Sequence, residues 1–231
     1  MTPNNRFLLS AVALAATLVL AGTAEATLVR AVPFDTKVGE AESIILGKCI
    51  RTRSQWDDAH RWILTYSTFS VEQTLKGNPP PEITMVTPGG QVGSIHQDSI
   101  GITPFNEGDE RVIFVKSTRL GPTVLYFDQG AYAVETDDHG EKIVMPVNTA
   151  EVRIDTQRGK AVEPEQARPL GDFRGQVREA MQRVDAQKMD MLRAAMHRQA
   201  AGNESPFSKY RWLLVVAVVG ASLATWRLLR R

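Results

Sequence analysis

The chain has 231 residues, 43% hydrophobic and 23% charged, with 27 basic and 26 acidic side chains and a formal net charge of +1. That balance leaves no electrostatic footprint for a nucleic-acid partner. Cys49 is the only cysteine, so an exported protein of this sequence is stabilised by its core rather than by an internal disulfide.

The N-terminus runs from MTPNNR into the apolar stretch FLLSAVALAATLVLAG and then TAEA. A short basic region, an apolar run and small residues at Ala24 and Ala26 form the pattern of a secretory signal peptide over 1–26. The mature chain then starts near Thr27 and keeps about 205 residues, enough for one or two domains.

From 27 to 146 the sequence is rich in β-branched and aromatic residues separated by turn signals. Strands are expected at 43–53, 61–75, 82–88, 110–117, 124–135 and 142–146. WDDAH forms the first turn, three prolines at 79–81 end the second strand, and DDHG closes the last hairpin. Short strands at this spacing without intervening helices predict a mainly β fold, a small antiparallel OB-like barrel or sandwich.

Four groups in this region carry candidate chemistry. Trp56, Asp57 and Asp58 sit in the first turn and Trp62 opens the next strand. They form either an exposed tip for a partner or an ordinary acidic turn with Trp56 covering the barrel end. Cys49 lies within an apolar strand, where a cysteine is more often a small buried hydrophobe than a nucleophile. TPGGQVGS, 87–94, lacks the lysine and the following helix of a phosphate loop. It reads as a turn, with Pro88 at the second position, Gly89 at positive φ, and Gly90 and Gly93 allowing a bulge or close approach. His96 and Asp98 follow as HxD, two donors where zinc takes at least three protein ligands. The residues 93–105 around them fit neither a strand nor a helix well. No catalytic signature, cofactor motif or complete metal set stands out, so no cofactor is expected.

Residues 147–171 form a mixed connecting segment. At 172–201 an amphipathic helix is expected, with Asp172 as N-cap and an apolar stripe including Val177, Met181, Val184, Met191, Leu192 and Met196. That stripe suits packing on the β domain or on a partner helix, and its methionines also suit an adaptable binding face. A polar linker at 202–209 leads to 210–229, read as a transmembrane helix. Its stretch from Trp212 to Trp226 is uncharged and bracketed by tryptophans. Arg227, Arg230 and Arg231 outnumber Lys209 and Arg211, which places the tail, 230–231, in the cytoplasm and the bulk of the chain outside.

The ordered cues SIILGKCIRTRSQWD, YSTFSVEQTLKG, ITMVTPGGQVG, PFNEGDERVIFV and DQGAYAV resemble a group of uncharacterised exported, membrane-anchored bacterial proteins. The resemblance covers about 43–146 and the helix after it, and implies no biochemical activity. At fold level the strand order is similar to the OB-like netrin module and to tissue inhibitors of metalloproteinases. The N-terminal cysteine of those inhibitors is absent from TLVRAVPFD, so their mechanism transfers to no residue here. The short span with its arginine tail also resembles the sorting tails of bacterial exosortase substrates. NESPFSKYR departs from their signature.

These features predict a non-catalytic, single-pass protein of the bacterial inner membrane with its bulk in the periplasm. It is expected to act as a binding, scaffold or inhibitory module for an envelope protein. The alternatives are an envelope metal-dependent hydrolase with a site near His96 and Asp98, and a sorting substrate whose tail is processed.

Overall fold

The structure is a computed structural model that describes residues 28–99, 101, 102, 104–147, 152–156 and 158–202. The expected signal peptide at 1–26 and transmembrane helix at 210–229 lie outside these residues. Among the described residues no helix is long and apolar enough to cross a membrane. The chain divides into two compact units, with the boundary between Arg174 and Gly175.

The first unit is mainly β, as the strand pattern predicts. In chain order its elements are β1 (Leu28–Arg30), α1 (Phe34–Glu40), β2 (Ser43–Trp56), β3 (Ile63–Lys76), β4 (Glu82–Pro88), β5 (Gly90–Val92) and β6 (Ile95–Gln97). Then come β7 (Glu110–Thr118), β8 (Gly121–Val124), a 3-10 turn (Phe127–Gly130), β9 (Ala131–Thr136) and β10 (Lys142–Pro146). β11 (Val152–Asp155), β12 (Lys160–Ala161) and β13 (Arg168–Pro169) precede α2 (Leu170–Gly202), whose first residues close the unit.

Among the described residues the main sheet has eight strands, in the order β13-β10-β9-β7-β2-β3-β4, with β8 also paired to β7. All its pairings are antiparallel. The hydrogen-bonded path stays open. It curls enough for the Thr123 hydroxyl on β8 to donate to the Val86 carbonyl on β4 at 2.8 Å. Three register shifts in the β2–β3 ribbon supply much of this coiling, since each bulge bends its strand and sharpens its twist. β1 pairs with β11 in parallel and β12 extends that small sheet, while β5 and β6 form a separate hairpin.

The run VIFV on β7 is apolar on both strand faces because both faces are covered. Ile113 and Val115 join Ile45, Cys49, Phe69, Met85, Phe105 and Val124 in the main core. The alternate residue Phe114 points the other way, to Phe34, Tyr132 and Phe173. Phe34 meets Phe114 and Phe173 edge-on at 5.8 and 5.6 Å. Phe114 and Phe173 are fully buried, and each contributes about 2–3 kcal/mol from area removed from water, while Phe34 is half-buried. α1 holds this second layer in place. Its C-terminal carbonyls, Val38, Gly39 and Ala41, accept hydrogen bonds from the Lys76 ammonium, a cation at the negative end of the helix.

Several expectations need correction. The single strand expected at 124–135 is two strands, β8 and β9. Both run antiparallel to β7 in the same direction, and the interruption between them is made by Tyr126 and Phe127, both at positive φ, and a 3-10 turn. The segment 93–105, expected to be irregular, begins with half of a hairpin, because Gly93 at φ 60 turns Gly90–Val92 back onto Ile95–Gln97. Asp172 does not cap α2, which starts two residues earlier and takes Asp172 into its first turn. The described residues of the connecting segment include strands: β13 adds to the main sheet and β11 pairs with β1.

The second unit contributes the rest of α2 to the described residues. There Met191, Leu192 and Met196 of the predicted stripe are exposed.

Candidate surface site at the Trp56–Trp62 hairpin

The turn joining β2 to β3 is built by its own backbone and one carboxylate. The Asp57 amide donates to the Trp62 carbonyl at 2.8 Å, and the His60 amide to the Asp57 carbonyl at 2.9 Å. Asp57 Oδ1 accepts from the amides of Arg61 at 2.6 Å and Trp62 at 3.1 Å. Those two amide bonds hold the Asp57 carboxyl below its usual pKa. The loop forces His60 to a φ of 53°, and its ring lies nearly parallel to Trp56, 14° apart with centroids at 6.2 Å. Trp62 is 56% exposed and Asp58 is also exposed, whereas Trp56 and Asp57 are half-buried.

The β5–β6 hairpin docks against the base of this turn. Gln97 Oε1 accepts from the Ile63 amide at 2.7 Å, and the Gly89 amide donates to the Ile63 carbonyl at 2.8 Å. Residue 90 must be glycine for the hairpin to approach so closely. A Cβ there would stand 2.3 Å from Thr65 Oγ1 and 2.4 Å from Ser54 Oγ, and its φ of 129° disfavours any side chain. Gly89 has the positive φ expected of it, 93°, and turns the chain out of β4 directly after Pro88. The glycine run is therefore the joint that seats one hairpin on another.

Beside the seated hairpin lies a cleft of about 120 Å³ lined by Thr65 of β3, by Thr87, Gly89 and Gly90, and by His96, Gln97, Asp98 and Ser99, among others. Six sequence-flagged residues thus gather at one end of the sheet. Trp56, Asp57, Asp58 and Trp62 lie on the turn, and His96 and Asp98 on and just after β6. His96 Nε2 donates to Asp98 Oδ1 at 2.7 Å, with both side chains largely in solvent. Among the described residues no group of three His, Cys, Asp or Glu side chains is placed to hold a metal. Cys49 is 1% exposed and packs in the main core, and burial pushes its thiol pKa up, away from the thiolate a nucleophile needs.

A second polar cluster, absent from the sequence reading, lies under α1. Lys37 is 1% exposed, and its ammonium donates to Glu165 Oε1 at 2.7 Å, to the Gln129 carbonyl at 3.2 Å and to the Tyr132 hydroxyl. The Tyr132 hydroxyl in turn donates to Glu165 Oε2 at 2.9 Å. Burial pulls the Lys37 pKa down, against the pull of Glu165. Burial raises Glu165, but Lys37, Tyr132 and Arg168 outweigh it and leave the carboxyl below its usual value. Desolvation and the neighbouring Glu165 charge push Tyr132 well above 10. Gln129 ties in β1, accepting from the Val32 amide and donating to the Arg30 carbonyl. Every bond here joins separate chain segments, so the cluster works as a fastening for the N-terminal segment and the stretch before β13. A lysine among polar neighbours in VPFDTKVGE carries no sequence signal of burial, and its partners lie about 90 to 130 positions away.

No protein family, curated protein or solved structure matches this chain.

Proposed function

We propose that this protein is a non-catalytic binding or scaffold module of the bacterial cell envelope. It is exported by its N-terminal signal and held at the inner membrane by one C-terminal span, and it presents an OB-like β domain to another envelope component. The uncharged run bracketed by Trp212 and Trp226 within 210–229 and the signal pattern at 1–26 support the location. The coiled antiparallel sheet, with β8 brought against β4, supports the OB-like reading.

The observation that carries the recognition role is the locked pair of hairpins. An exposed Trp62 sits on a turn tied by four hydrogen bonds, and two more at Ile63 join it to the hairpin that lines a mixed polar and apolar cleft. A large exposed aromatic on a rigid loop is the usual form of a recognition surface, since it adds contact area at little entropic cost.

Crosslinking and pull-down from native membranes tests this. A defined envelope component should be recovered with the wild type and lost with Trp62→Ala. Turnover of peptides, esters or glycans by the purified chain, abolished by one side-chain change such as His96→Ala, would replace this reading with the hydrolase.

A further inference from the structure

The composition of the cleft beside the Trp56–Trp62 turn selects among ligands. Its walls mix the apolar side chains of Pro88, Ile102 and Pro104 with the hydroxyls of Thr65, Thr87 and Ser99, the Gln97 amide, the His96 imidazole and the Asp98 carboxylate. No lysine or arginine is among its described lining residues. A phosphate or carboxylate ligand would face Asp98 with no cation to offset it. A purely apolar ligand would strip water from hydroxyls and a carboxylate without replacing their hydrogen bonds.

A neutral polyhydroxylated ring avoids both costs. Its hydroxyls both donate and accept, matching a wall of carboxylate, imidazole and hydroxyl groups. Its C–H face suits an indole, an apolar plate with a negative π-face. Such a plate is available next to the cleft. Trp62 is exposed and directly precedes Ile63, whose amide and carbonyl are bound to the cleft residues Gln97 and Gly89. Its backbone is fixed in advance, since the Trp62 amide is held by Asp57, so little main-chain freedom of the turn is lost on binding. Among the described non-glycine residues held at positive φ, His60 and Phe127 lie near this end. His60 is in the turn, and Phe127 with Thr87 and Ile102 lines a smaller cavity that shares those two walls with the cleft. Strained backbone of this kind persists where a surface is held in one shape.

We propose that this end of the β domain binds a neutral saccharide, with a pyranose ring stacked on Trp62 and its hydroxyls in the cleft of His96, Asp98 and Ser99. The proposal rests on the recognition reading above and names its ligand class.

The test uses the full chain in a zwitterionic, sugar-free detergent, titrated with chitotetraose and cellotetraose and followed by tryptophan fluorescence and calorimetry. At least one should bind saturably with a Kd below about 1 mM. Trp62→Ala should weaken it at least about tenfold, Trp62→Phe should restore part of the loss, and Asp98→Asn should weaken it several-fold. His139→Ala, in the exposed β9–β10 turn, should change nothing. No saturation by either oligosaccharide, equal affinity in Trp62→Ala, or preference for inorganic phosphate would overturn the proposal. Should the oligosaccharides fail while a protein crosslinks through position 62, the recognition reading stands and the saccharide class falls. Should both fail, both fall.

Discussion

Lys37 is a cation with almost no access to water, held by Glu165, Tyr132 and the Gln129 carbonyl. Removing one partner of such a pair leaves the other charge poorly solvated, which costs about 3 kcal/mol. Lys37→Met should lower the urea midpoint of the full chain accordingly. The double variant Lys37→Met/Glu165→Gln should cost less than the sum of the single changes, because the two residues act as one unit. The charged and titratable groups of this neighbourhood are Lys37, Glu165, Tyr132, Arg168, Arg153 and Asp128. Glu165 has a folded pKa below 4.5, so the folded state releases its proton more readily than the unfolded chain. Its stabilisation is present above pH 4.5 and is lost as pH falls through the lower folded value. Glu165→Gln should therefore flatten the acid limb of a stability-against-pH curve, measured by urea unfolding at stepped pH. Nothing local in the sequence announces this cluster. Cys49, by contrast, is legible as a core residue from its apolar strand alone, and its burial agrees.

At the scale of elements, the β5–β6 hairpin depends on one glycine and one amide. Gly90→Ala places a methyl against Thr65 and Ser54 at an unfavourable φ, and should cost about 1–3 kcal/mol in thermal unfolding. Gln97→Ala removes the acceptor of the Ile63 amide, a loss of about 1–2 kcal/mol. Hydrogen exchange at Ile63 should then quicken by about tenfold, while amides at the β2–β7 pairing stay protected. The long strands were readable because period-2 patterning and turn residues mark them, and β4 ends at Pro88 as expected. The β5–β6 hairpin was not, because three-residue strands are too short for a period to show. The division of 124–135 was equally hidden. Its interruption uses Tyr126 and Phe127 at positive φ, where turn chemistry favours glycine or asparagine. β1 and α1 carry no local signal because their partners, Val152–Ile154 and Tyr132, are remote in sequence.

For the whole molecule, the sequence marks the two ends by composition and the middle by strand pattern, while the meeting of its flagged residues is a product of topology. The β2–β3 ribbon carries Trp56 and Trp62 to its tip, and the chain leaving β4 brings His96 and Asp98 back to the same place. The central claim is that this tip is the surface by which an envelope component is recognised. It is tested most directly by placing a photoreactive amino acid at position 62 or at position 139 of the full chain and irradiating native membranes. The account predicts a discrete adduct from position 62 that is suppressed by Gly90→Ala, and none from position 139. Equal labelling from both positions, or no adduct from position 62, would contradict it.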